Sequence, residues 1–258
     1  MPRFKLFIEY EGTRYRGWQA QKEARTIEGE FISAIEKILH TNDFEFNGSS
    51  RTDAGVHALR QVAHLDIMPS WEPDKLRFAI NDHLPADINV LTIERAPKNF
   101  HARHDAIGRS YVYQIARRRS AFGKRFTWWI KDRLDFQVMK KESELFKGMK
   151  NFQSFTADDP DDKSMKVLIE SIEMKEENDL ILIRITGSHF LWKMVRQIVG
   201  VLAEIGRGKM SETDIRKFFQ SKSGIPAILT APPSGLFLER VYYKGDERFT
   251  ELKPVMSI

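Results

Sequence analysis

Residues 49–58 read S-S-R-T-D-A-G-V-H-A and crowd Arg51, Asp53 and His57 into one short polar stretch. Three chemistries fit those residue types. Asp and Ser side chains bond to nearby backbone and Gly55 tolerates positive φ, so the stretch could be a turn and nothing more. Ser50, Asp53 and His57 are also the members of a hydrolase triad. Against that stand the missing G-x-S-x-G elbow and the habit of triad members to come from distant parts of a chain. The third chemistry is a carboxylate nucleophile, Asp53, beside the guanidinium of Arg51. Residue type alone leaves the three open.

Other groups could serve a reaction or a ligand. Residues 11–25, E-G-T-R-Y-R-G-W-Q-A-Q-K-E-A-R, set Arg14, Arg16, Lys22 and Arg25 around Tyr15 and Trp18. That pattern suits a wet surface loop as well as a polyanion site. Arg117, Arg118 and Arg119 are consecutive, and on an extended chain Arg117 and Arg119 face the same way. Tyr111 reads as a strand tyrosine. Arg196 reads as a solvated arginine sharing a polar helix face with Lys193 and Gln197. Leu236 reads as the entry to an edge strand. His101 and His104 have ligand-like spacing but no third-ligand pattern, so they read as surface histidines and no metal is expected.

The elements that must position these residues follow from periodicity. Alternation predicts strands at 3–10, 44–47, 59–67 and 88–94. Thr26 can cap a helix carrying Ile27, Phe31, Ile35 and Ile38 at helical spacing, and Ser70 a second helix reaching residue 84 before Pro85. The order β-α-β-β-α-β then repeats: strands at 110–116, 167–174, 180–186 and 236–243, with helices at 136–149, 190–205 and 211–220. Residues 120–131 read as an insertion. The expectation is an α+β fold of two ferredoxin-like halves, 1–105 and 106–258, joined into one mixed sheet around a central cleft.

Composition narrows the class. The chain has 258 residues, 41% apolar and 30% charged, with no cysteine. Disulfides, thiolate zinc sites and cysteine nucleophiles are therefore excluded, and a cytoplasmic protein is expected. No apolar run approaches the roughly 20 residues that span a bilayer, and no signal-peptide core precedes Glu9 and Glu11. The net charge is +5. Residues 95–131 hold ten Lys/Arg and one acid, a balance of +9, which leaves −4 for the rest. One stretch carries the whole positive excess, interleaved with Tyr111, Tyr113, Phe122, Phe126, Trp128 and Trp129. Such a stretch suits nucleic acid, although the aromatics could equally be core.

The stretch R-T-D-A-G-V-H-A resembles the signature loop of the TruA family of tRNA pseudouridine synthases. G-W-Q-A-Q at 17–21, R-S-Y-V-Y around Tyr111, H-F-L-W-K-M-V-R-Q-I-V-G-V-L at 189–202 and A-P-P-S-G-L-F-L at 231–238 are similar to further family segments. One departure is Ser50, where the family usually has Gly. The resemblance implies the duplicated fold above, with the active site in its cleft. It implies Asp53 as nucleophile, Arg196 as the arginine that pairs with it, Tyr111 stacked on the target uracil and Leu236 lining the base pocket. Arg51 would fill the space a flipped base vacates or hold a phosphate, and Arg14, Arg16, Arg117 and Arg119 would grip tRNA. The implied reaction isomerises uridine to pseudouridine at positions 38, 39 and/or 40 of the anticodon stem-loop. The implied enzyme is a homodimer with one tRNA contacting both subunits, and no cofactor is implied. A paralogous synthase acting on other RNA uridines, or a non-catalytic RNA-binding protein on the same scaffold, is the alternative.

Overall fold

The computed structural model describes residues 1–68, 70–158 and 164–257. In chain order the elements are β1 (Arg3–Tyr10), α1 (Ile27–Leu39), β2 (Glu45–Gly48), β3 (His57–Asp66), α2 (Pro73–His83), β4 (Ile88–Ala96) and β5 (Gly108–Ala116). Then follow β6 (Trp128–Trp129), α3 (Phe136–Ser143), β7 (Gly148–Asn151), β8 (Lys166–Glu177) and β9 (Leu180–Gly187). The chain ends with α4 (Met194–Gly206), α5 (Glu212–Gln220), α6 (Ile225–Ile228) and β10 (Leu236–Tyr242). The fold is α+β, as expected from the periodicities. It comprises two compact units, Met1–Ile107 with Phe237–Asp246, and Gly108–Leu236 with Glu247–Ile258.

In the first unit the strands lie in the order β4-β1-β3-β10, and β2 also pairs with β3. All pairs are antiparallel except β10 with β3, where Phe237 stands opposite His57 and Leu238 opposite Ala58. Thr26 does cap α1, accepting from the Gly29 N–H, and Ile27, Phe31, Ala34 and Ile35 face the sheet. Phe31 stacks on Phe46 of β2 with centroids 4.9 Å apart. Helix α2 starts later than expected. Ser70 is not its cap: the helix opens at Pro73, whose fixed φ suits the first helical position, and Ser70 accepts a bond from Arg95 instead.

The second unit runs β5-β9-β8-β7, antiparallel throughout, with β6 parallel to β5. Strands β5 and β9 are buried along their whole length. A cluster of Phe146, Phe152, Phe155, Phe218 and Phe219, mostly edge to face, forms part of this unit's core. The helix expected over 136–149 ends at Ser143, and Gly148–Asn151 turns into β7. Its sequence, G-M-K-N, has no apolar alternation, and its pairing with Lys166–Ile169 of β8 makes it a strand. The C-terminal residues also belong here. Gln114 accepts from the Val255 N–H (2.6 Å), Arg184 donates to Glu251 O (2.5 Å), and Leu252 packs on Val112 and Leu182.

Candidate active site

The signature loop leaves β2 and enters β3. Gln61 of β3, fully buried, ties its start: it accepts from Ser49 Oγ (2.7 Å), while its amide donates to Ser50 O (2.7 Å). Among the described non-glycine residues only His40, Asn178 and Lys193 have positive φ. Ser50 therefore adopts an ordinary conformation, and glycine is not required where the family usually has it.

Further along, the loop is held by the 11–25 segment, so the two motifs form one structure. Trp18 N–H donates to Thr52 O (3.1 Å), Gly55 N–H to Tyr15 O (3.2 Å), and Gly12 N–H to His57 Nδ1 (3.0 Å). Tyr10 Oη meets Thr52 Oγ1 at 2.8 Å. The approach requires glycine: a Cβ on Gly17, which has φ +98°, would stand 2.6 Å from Thr52 O, and one on Gly12 1.9 Å from Val56 O. Trp18 is buried between Tyr10, Phe31 and Phe46, over Gly48, where a Cβ would strike its indole. Glu28 of α1, itself buried, accepts from Gln19 Nε2 (2.5 Å) and Ala20 N–H (2.8 Å) and so anchors the far side of the segment. The result is a half-buried Asp53 and an exposed Arg51 on a loop fastened at both ends. Arg14 and Arg16 project to solvent from the same assembly.

His57 does not belong to a hydrolase triad. Its Nδ1 accepts a backbone N–H, so it lacks the proton that a triad histidine donates to its aspartate. The ring is buried and stacked on Phe237 at 4.8 Å, which makes it a strut under the loop. Gln61 and Glu28 do comparable positioning work, and no motif reading singled them out. Their signal lay in being polar at positions that strand or helix spacing directs inward.

The second unit carries Tyr111, Arg196 and Leu236. Tyr111, on β5, is buried with its ring edge-to-face on Phe190 at 5.1 Å. Helix α4 begins at Met194, four residues later than expected, because Lys193 turns into the left-handed region at φ 62°. Arg196 is half-buried. Its Nε donates to Ala231 O (2.7 Å), and its own carbonyl accepts from Ala231 N–H (3.0 Å). The polar face assigned to it is narrower than its sequence suggests, since Gln197 is buried with Oε1 unpartnered. Gly200 permits this contact, because a Cβ there would lie 1.8 Å from Leu229 O. Tyr113 completes the frame, donating to Pro232 O (2.8 Å). Burial pushes its hydroxyl well above the usual tyrosine range, with Arg196 opposing. Leu236, buried, follows the turn Pro233–Gly235.

The arginine triplet is partly engaged. Arg117 pairs with Glu176 (2.5 Å), Arg118 with Asp179 (2.7 Å), and Arg119 lies 5.9 Å over the Trp129 ring. His104 is exposed, but His101 is half-buried against His64, its ring centroid 4.7 Å away. Burial holds both His64 and His101 below the usual histidine pKa. No helix among the described residues is long and apolar enough to cross a membrane.

Comparison with known proteins agrees with the motif content. A family model described as tRNA pseudouridine synthase matches residues 6–105 and 143–244. Among curated relatives, tRNA pseudouridine synthase A of Rhodopseudomonas palustris is 38% identical over 247 residues, covering 95% of this chain and all of the relative. tRNA pseudouridine synthase A 2 of Clostridium tetani is 37% identical, covering 93% and 98% of the two chains. tRNA pseudouridine synthase A of Afipia carboxidovorans is 36% identical, covering 94% and 100%. Identity of this extent over nearly full length, on top of the fastened R-T-D-A-G-V-H-A loop, means that the chain belongs to the TruA family of tRNA pseudouridine synthases, enzymes of the isomerase class.

Proposed function

We propose that this synthase acts on uridines 38, 39 and/or 40 of the tRNA anticodon stem-loop, in the cytoplasm and as a homodimer, with Asp53 as its nucleophile. In the reaction the C1′–N1 bond breaks, the uracil turns and C1′ bonds to C5. C5 then loses a proton and N1 gains one, so the atoms balance without an external group. The target base must leave its stack first, at a cost of a few kcal/mol. Stacking on Tyr111 offsets part of that cost, and Leu236 shapes the pocket. Arg51 fills the vacated space or holds a flanking phosphate. Arg196 pairs with Asp53 and sets a positive charge beside the nucleophile. Arg14, Arg16, Arg117 and Arg119 neutralise backbone phosphates, which positions a tRNA without reading its bases.

The observation that carries the reading is the immobilised loop. Backbone bonds from Trp18, Gly55 and Gly12, together with Gln61, fasten both sides of a half-buried carboxylate. A solvated turn has no need of such anchoring, whereas a nucleophile that must meet a flipped base does. Asp53→Asn retains size and removes charge. It is expected to abolish pseudouridine formation while tRNA affinity stays nearly unchanged, and turnover close to wild type would defeat the assignment. The target positions are tested by mapping pseudouridine in tRNA from cells lacking the gene. Persistence of the modification at 38–40 would assign those sites to another enzyme.

A further inference from the structure

We propose that the turn around Phe122 is a second RNA contact, a stacking platform for an unpaired base of the bound tRNA, separate from the Asp53 loop. The proposal rests on the tRNA substrate above. Phe122 is 92% exposed, the most exposed of the large apolar side chains described. The chain itself holds it out. Gly123 is buried, its N–H donates to Ser120 Oγ (3.1 Å), and its carbonyl accepts from Phe126 N–H (3.0 Å) and Thr127 Oγ1 (2.9 Å). Gln114, buried in β5, donates to Phe126 O (3.0 Å) and fastens the turn to the sheet. The excursion then returns beside β5, with Trp128 opposite Ile115 and Trp129 opposite Ala116. Phe122 is thus an aromatic ring presented on a built support.

Its surroundings select the partner. Arg119, Lys124 and Arg125 are exposed on the same excursion, and Trp129, 42% exposed, lies under the Arg119 guanidinium. Aromatic faces set among cations are how proteins hold unpaired nucleotides, since every base has a face to stack and a phosphate to neutralise. A second copy of the chain suits the patch poorly. An isologous contact would bring the same cations against each other.

The test compares Phe122→Ala, Phe122→Trp and Lys124→Ala with wild type, using an unmodified tRNA transcript and fluorescence anisotropy at several salt concentrations. Because Phe122 is exposed, its replacement leaves the fold intact. Phe122→Ala is expected to raise Kd about 5- to 160-fold, the range that base–aromatic stacking supplies, with an unchanged salt slope. Phe122→Trp should restore affinity, and Lys124→Ala should flatten the slope by about 0.7–0.9. Wild-type Kd in Phe122→Ala would overturn the proposal. So would a change in its sedimentation without RNA, which would assign the turn to a protein contact. Pseudouridine formation by the wild-type enzyme is measured alongside. Its failure on tRNA would defeat the proposed function, whereas a normal wild-type reaction with unaltered Phe122→Ala binding would defeat this inference alone.

Discussion

At the scale of single residues, the positions that matter around Asp53 are glycines as much as charged groups. Gly17 is the sharpest case, with positive φ and no room for a Cβ beside Thr52 O. Gly17→Ala should combine backbone strain of about 1–3 kcal/mol with displacement of the Asp53 loop. A shift of that kind can lower kcat/KM by about 100-fold. Thermal unfolding and steady-state kinetics would read the two effects. Gly208→Ala is the control: its φ is +71° but nothing lies within 4 Å, so it should lose a little stability and keep its activity. Equal kinetics for both variants would mean that the contact between the two motif loops is not what positions Asp53. That glycines occupy 12 and 17 is plain in the sequence. That both are needed by the same partner loop is a tertiary fact, since 35 or more residues separate the contacting atoms along the chain.

At the scale of elements, α4 acts as a lever on the segment that follows α6. Arg196 and Gly200 lie one turn apart, and both meet residues 229–231, one by hydrogen bonds and one by close backbone approach. Gly200→Ala should therefore destabilise the unit by about 1–3 kcal/mol through overpacking. It should also pull Arg196 from Ala231, so that kcat falls while tRNA affinity changes little. A crystal structure or amide-exchange profile of the variant with residues 229–231 undisturbed would refute the coupling. The apolar stripe of α4 was legible, because Met194, Val195, Ile198, Leu202 and Ile205 recur at helical spacing and all are buried. Its start was not legible. Lys193 adopts a left-handed conformation without a capping side chain, and no local propensity predicts that. Strand β7 escaped detection for the related reason that pairing, not pattern, creates it.

At the scale of the whole molecule, the chain interleaves its units. Residues Phe237–Asp246 belong with Met1–Ile107, although 129 residues, Gly108–Leu236, lie between. They supply a parallel partner to β3 at His57 and Ala58, the bond from Tyr243 Oη to Ala102 O (2.6 Å), and that from Ile107 N–H to Tyr242 O (2.8 Å). A fragment of residues 1–107 is thus expected to lack a strand, bare the His57 strut and show no cooperative unfolding by circular dichroism. Residues 1–107 joined through a flexible linker to residues 236–247 should regain it. Cooperative unfolding of the short fragment would show that β10 is dispensable to this unit.

What the sequence by itself determined is whatever depends on neighbours along the chain. This covers the alternation of β1, the Thr26 cap of α1, the concentration of positive charge, and a signature loop specific enough to identify the family. Tertiary structure alone decided which residues hold that loop still. His57, an apparent acid–base candidate, became a strut because Gly12 brings an N–H to its Nδ1. Gln197, an apparent surface residue, became buried because α4 is packed on more than one side. Arg117, an apparently free cation, found Glu176, which lies on the neighbouring hairpin. The physical reason is the same in each case. Periodicity reports the side of an element that faces the core, but the protonation, pairing and burial of a polar side chain depend on atoms that folding brings from far along the chain.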